Sequence, residues 1–244
     1  MFRRLFQDLP PVTKNLLIIN FIVWIVINFF NRGEVVVEYG ALYYMGSPLF
    51  KPYQLVTYMF IQRDFMHLFF NMFALLMFGR TLEYVFGSKR FLFYYISCGI
   101  GAALIQMGVF ALMIGDYELP MAVEQALISG FDSARMTPME YQQLMHGAGQ
   151  YYLIPTIGAS GAVYGILLGF GMLFPNQPLY LMFIPVPIKA KWMVIGYGVI
   201  ELTQGLGRFS GDNVAHFAHL GGMIIGLFII LYWKRKGAIG HGFY

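Results

Sequence analysis

The sequence predicts an all-α membrane protein, a bundle of six transmembrane helices. Three observations predict it: the composition, six long apolar stretches, and the distribution of basic residues between them. Of 244 residues, 58% are hydrophobic, 18% aromatic and 11% charged, and the mean hydropathy is +0.62. Soluble domains carry about 25% charged residues, so a chain this poor in charge belongs in a bilayer. The net charge of +4 and pI near 9.1 would favour a nucleic-acid partner in a soluble chain. Here the basic residues lie at the ends of apolar stretches, where membrane orientation accounts for them, and no nucleic-acid partner is expected.

The stretches cover residues 16–30, 65–86, 91–113, 154–174, 192–206 and 214–233. The long middle ones approach the roughly 20 residues that a spanning helix needs. The first follows Arg3 and Arg4 and has the look of a signal peptide; without a small-residue cleavage site after it, a retained first span is expected. The fifth is the weakest, preceded by Lys189 and Lys191. Residues 179–188 are expected to form an interfacial connector, because Pro185 and Pro187, two apart, do not fit a helix interior. The core is thus 16–233, with tails at 1–15 and 234–244 and long connections at 31–64 and 115–153. The first connection is aromatic and suited to the interface. In the second, Thr137-Pro138-Met139-Glu140 reads as a capping box opening a short helix. Cys98, the single cysteine, lies in an apolar run and reads as a buried structural thiol.

Basic residues settle the expected orientation. One side of the alternating connections holds Arg3, Arg4, Lys14, Arg80, Lys89, Arg90, Lys189, Lys191, Lys234, Arg235 and Lys236; the other holds Arg32, Lys51, Arg63, Arg135 and Arg208. Cytoplasmic connections carry the excess of Lys and Arg, so six crossings with both termini in the cytoplasm are expected. A bacterial plasma membrane is the expected setting.

Polar groups in hydrocarbon are costly and mark pathways or sites. His67, Asn71, Ser160 and His219 each fall in the opening turns of an apolar stretch. With the expected orientation, spans two, four and six run in the same direction. At 1.5 Å per residue, Ser160 and His219 then lie about 9 Å below the mouths of their spans. His67 and Asn71 bracket that depth and, four residues apart, share one helix face. A serine beside a histidine is the arrangement of nucleophilic catalysis, in which the imidazole takes the hydroxyl proton. His67, the Asn71 amide and the Ser160 N–H are suitable donors to an oxyanion. No intramembrane carboxylate is placed to orient His219, so a dyad is expected. Tyr164, one turn after Ser160, is placed to stack on the imidazole.

Other readings exist for the same residues. Gly158, Gly161 and Gly165, with Gly222 and Gly226, also form small-residue packing faces. A serine on such a helix often bonds only a carbonyl one turn back. His67, His216 and His219 could bind metal, but no carboxylate or thiolate stands at ligand spacing, so no metal is expected. His216 reads as a supporting group.

His67-Leu-Phe-Phe-Asn71, Gly158-Ala159-Ser160-Gly161 and the run from Ala218-His219 to Gly222 and Gly226 together resemble, in order and on the matching spans, the motifs of rhomboid intramembrane serine proteases. The resemblance covers the six-helix core. It implies that Ser160 is the nucleophile and His219 the general base. It also implies that His67 and Asn71, with backbone amides at Ser160 and Ala159, form the oxyanion hole, and that Tyr164 stacks on the imidazole. It further implies cleavage of single-span membrane proteins in or near their transmembrane segment, within the lipid bilayer and without metal or cofactor. The fifth helix and residues 205–213 would gate access. One departure is Tyr53-Gln54, where many members carry Trp-Arg. A pseudoprotease that holds clients without cutting them, and a channel or metal transporter using the histidines, are the competing functions.

Overall fold

Helices take up most of the chain, and glycine, proline and polar caps set their ends. The computed structural model describes residues 8–30, 33–128, 139, 142, 144, 147–181, 184–207 and 215–239. Helix α1 (Pro11–Phe29) has proline at its first position, where the missing N–H breaks no helical hydrogen bond. The first long connection holds α2 (Gly33–Gly40), the single turn α3 (Gln54–Thr57) and a 3-10 turn at Tyr58–Phe60. Helix α4 (Phe65–Phe86) is capped by the Asp64 side chain, which accepts the His67 N–H, and widens into a π-type turn at Leu75–Gly79. Gly87, at φ 75, joins it directly to α5 (Ser88–Ile114). After α6 (Met121–Ile128) come α7 (Ser160–Leu173), strands β1 (Pro178–Leu181) and β2 (Ile184–Lys189), α8 (Ala190–Gly207) and α9 (His216–Arg235).

Among the described residues four helices, α1, α4, α5 and α9, are long and apolar enough to cross a membrane, and the protein is an integral membrane protein. Helix α7 is apolar but has 14 residues, and the 18 residues of α8 include Lys191 and Glu201; neither is among those four.

Three expected elements differ. The fourth apolar stretch becomes helical only at Ser160, because its first residues are tied to the first connection. Leu42 and Thr156 exchange backbone hydrogen bonds of 2.9 and 2.8 Å, and Gly158 N–H donates to the Tyr58 carbonyl at 2.9 Å. Helix α9 starts at His216; residue 214, the expected start, lies outside the described residues. In the connector expected at 179–188, the described residues form two antiparallel strands that pair Pro178 with Lys189 and Leu179 with Ile188. Prolines two apart in a strand turn their missing N–H groups to the same side, which suits an edge. Most of the Thr137–Glu140 box, and residues 208–213 of the expected gate, lie outside the described residues.

Helix α9 packs most extensively on α5 and α7. At the crossing with α7, a Cβ on Gly222 would overlap the Gly161 carbonyl, and a Cβ on Gly161 would come within 2.5 Å of the Ala102 Cβ. Hydroxyls stitch the same region: Tyr94 donates to the Gly165 carbonyl and Tyr58 to the Gly99 carbonyl, each at 2.7 Å. Cys98 is free and buried, beside Gly165. At the start of α1, Glu83 accepts the Val12 and Thr13 N–H groups at 2.9 and 2.7 Å and the Thr13 and Ser88 hydroxyls at 2.8 and 2.7 Å. Gln54, in the place of the family arginine, is fully buried. Its oxygen accepts the Lys51 N–H at 3.1 Å and its amide donates to the Leu49 and Tyr39 carbonyls at 3.0 and 3.3 Å, so a neutral side chain ties this connection together.

Candidate active site

Ser160 is the first residue of α7, and His219 lies one turn into α9. The close crossing at Gly161 and Gly222 brings their side chains together: His219 Nε2 is 2.8 Å from Ser160 Oγ. A helix of 14 residues is about 21 Å long, shorter than a hydrocarbon core of about 30 Å. Tyr164, one turn along α7, lies flat on the His219 imidazole, with ring centroids 4.3 Å apart and planes 5° from parallel.

His67 faces Ser160 across Gly158. His67 Nδ1 accepts the Arg63 N–H at 3.2 Å, which puts the ring hydrogen on Nε2. That nitrogen lies 2.7 Å from where a Cβ on Gly158 would stand, and Ser160 Oγ lies 3.6 Å from the same point. Gly158 has φ +117, a conformation natural to glycine alone, and its missing side chain leaves the gap between the two groups open. No side chain caps α7, so the first N–H groups of the helix are open to an anion. Asn71 stands one turn beyond His67, with one amide hydrogen on Gln62 Oε1 at 2.9 Å and its second unassigned. Gln62 in turn donates to Asn20 Oδ1 at 2.8 Å, so a buried polar chain from α1 fixes the Asn71 side chain.

The carboxylate missing from the sequence reading is Glu201 of α8. Its Oε1 accepts the Tyr164 hydroxyl. Its Oε2 is 2.6 Å from His216 Nδ1 and 3.0 Å from His219 Nδ1. His219 Nδ1 is close enough for an ion pair yet has no aligned hydrogen bond. The expectation that nothing acidic faces His219 is thus corrected. Glu201, His216 and His219 also offer one ligand atom each within 4.8 Å of one another, and among the described residues they are the group able to hold a metal ion. As they stand, the 2.6 Å contact is a direct hydrogen bond. Ligand atoms around a tetrahedral zinc would lie about 3.3 Å apart, given zinc–ligand bonds of about 2.0–2.1 Å. Glu201 and His216 satisfy each other through that hydrogen bond, while His219 Nδ1 stands at ion-pair distance from the same oxygen.

A family model for the Rhomboid domain matches residues 50–236, a range that holds Ser160, His219, His67, Asn71, Tyr164 and Glu201. The chain belongs to the rhomboid family. Two curated relatives agree. Rhomboid protein 1, mitochondrial, of Saccharomyces cerevisiae is 27% identical over 168 residues, covering 69% of this chain and 38% of the relative. RHOMBOID-like protein 12, mitochondrial, of Arabidopsis thaliana is 30% identical over 173 residues, covering 70% of this chain and 43% of the relative. The match spans less than half the length of either. In this rhomboid, one signal would have revealed Glu201 from sequence: a lone carboxylate between Ile200 and Leu202 in an apolar stretch is as costly as the histidines that drew notice.

Proposed function

We propose that this rhomboid is an intramembrane serine protease that hydrolyses a peptide bond in or near the transmembrane segment of single-span membrane proteins. One observation carries the reading: Ser160 Oγ lies 2.8 Å from His219 Nε2, with the imidazole held flat by Tyr164. His219 takes the hydroxyl proton as Oγ attacks the substrate carbonyl carbon. The oxyanion forms over Gly158, where His67 Nε2–H, the N–H groups opening α7 and the Asn71 amide are its donors. Collapse expels the amine, protonated by His219, and leaves an acyl group on Ser160. Water, activated by the same imidazole, then releases it. His216 supports the site through its contact with Glu201, and Gly158 and Gly161 keep the approach open. No step calls for metal or cofactor.

In this reading α1, α4, α5, α7, α8 and α9 are six crossings of the bilayer, with both termini on the basic side and the site towards the opposite face. Charge asymmetry supports that orientation. A bacterial plasma membrane is the setting we favour; the word mitochondrial in the relatives' names makes an organellar membrane the competing one.

The test is mass-spectrometric mapping of new termini in membrane proteins co-expressed with the wild-type chain, with Ser160→Ala and with His219→Ala. Cut sites in or beside transmembrane segments should appear with the wild type and vanish in both variants. Cleavage at the wild-type rate by Ser160→Ala would refute the assignment, and wild-type protein that folds but produces no termini would favour a pseudoprotease.

A further inference from the structure

Glu201 is 4% exposed and meets groups from two other helices: the Tyr164 hydroxyl from α7, and the Nδ1 atoms of His216 and His219 from α9. An ionised carboxylate can only accept hydrogen bonds. The Tyr164 hydroxyl and His216 Nδ1 therefore carry hydrogens on the atoms facing Glu201. For His219, whose Nδ1 lies 3.0 Å from Oε2 without an aligned bond, the negative charge favours the tautomer with hydrogen on Nδ1. With hydrogen on Nδ1, the lone pair is on Nε2, the atom 2.8 Å from Ser160 Oγ. The opposite tautomer would point an N–H at the serine and could not take its proton.

We propose that Glu201 is a positioning residue for this chemistry, holding His219 in the productive tautomer and countering the charge that the imidazole gains. The proposal rests on the protease reading and adds Glu201, which lies outside the sequence motifs, as a third member beside the serine and the histidine. The proton balance is simple. The Ser160 hydrogen moves to His219 Nε2, the Nδ1 hydrogen stays on the imidazolium facing Glu201, and the Nε2 hydrogen later leaves with the amine. Glu201 keeps its charge throughout.

The resting geometry fits that role. His216 makes the shorter contact with Oε2, at 2.6 Å against 3.0 Å for His219, and His219 Nδ1 lacks an aligned bond. Once the ring is cationic, charge assistance shortens and strengthens such a contact. The interaction is therefore stronger after proton transfer than before, which is the condition for accelerating a step rather than merely binding its reactants. Tyr164 serves both partners, since its ring lies on the imidazole while its hydroxyl holds the other carboxylate oxygen. A glutamine would fail on this count: three donors face the carboxylate, and an amide offers one acceptor atom and a donor of its own.

The experiment measures modification of the purified full chain by a fluorophosphonate, comparing wild type, Glu201→Gln, Glu201→Asp and Ser160→Ala. Glu201→Gln should lower the maximal rate of Ser160 modification at least about 100-fold, given what losing the orienting carboxylate costs a serine hydrolase. The half-saturating probe concentration should stay unchanged, and Glu201→Asp should recover part of the rate. A Glu201→Gln rate within about threefold of wild type would overturn the proposal. So would a loss seen wholly in half-saturation, since that places Glu201 in packing alone. Modification of Ser160→Ala at the wild-type rate would instead sink the protease reading, which keeps the two failures distinct. If Glu201→Gln fails to fold, nitrogen NMR of the wild-type histidines decides, with His219 assigned by His219→Gln. Hydrogen on Nδ1 supports the proposal, and hydrogen on Nε2 overturns it.

Discussion

At Ser160 the hydroxyl sits on the first residue of a helix, beside the opening N–H groups of α7 that no side chain caps. The helix N-terminus favours negative charge there, and His67 adds a donor fixed by its own bond to the Arg63 N–H. Because these donors are several, losing one weakens the chemistry without ending it. His67→Ala is expected to lower kcat about 10²–10³-fold, the usual cost of one oxyanion donor. Asn71→Ala should cost less, since Asn71 shares its amide with Gln62. Initial-rate kinetics on a fluorogenic ester or a cleaved membrane substrate would check both, and an unchanged kcat in His67→Ala would remove it from the site. Ser160, His219, His67 and Asn71 stood out in the sequence because polar groups in apolar runs are rare, and Tyr164 because it follows Ser160 by one turn. Glu201 escaped because its run carries charge at its start and looked the weakest of the six. Asn20 and Gln62 escaped because amides near the ends of apolar stretches look like interface residues until their partners are seen.

Between elements, the decisive contact is the crossing of α7 and α9. The Gly161 carbonyl occupies the space that a side chain on Gly222 would need, and Gly161 itself faces Ala102. Gly161→Val should therefore push α7 away from α5 and α9, with loss of folded protein on size exclusion as well as loss of activity. Overpacking of this kind costs about 1–3 kcal/mol or more when backbone cannot yield. A monodisperse, fully active Gly161→Val protein would contradict the packing argument. Periodic small residues announced this crossing in the sequence. The start of α7 was not legible, because hydropathy cannot see the backbone pairing of Thr156 with Leu42 and of Gly158 with Tyr58. The strand pair β1 and β2 was readable only as non-helical: proline spacing excludes a helix but does not name the strand partner.

Across the whole molecule, the chemistry depends on helices from distant parts of the chain staying in register. Glu83 is central to that frame, since it accepts four hydrogen bonds, from Val12, Thr13 (twice) and Ser88. Its side chain is 2% exposed, so Glu83→Ala strands buried donors, each costing about 1–3 kcal/mol. The expected result is a clear fall in thermal unfolding temperature in detergent, and an unchanged temperature would show that α1 is held by apolar contact alone. Composition and basic-residue placement made the membrane class legible from the start, but among the described residues length and composition support four spanning helices where six were expected. The short α7 and the charged α8 fall outside that group, and they are the helices that carry Ser160 and Glu201. The most direct measurement of the central claim is peptide mapping of the purified chain after fluorophosphonate treatment. The account predicts a single adduct on Ser160, present in wild type and absent in His219→Gln. An unmodified Ser160 in folded wild-type protein, or an adduct that persists without His219, would contradict it.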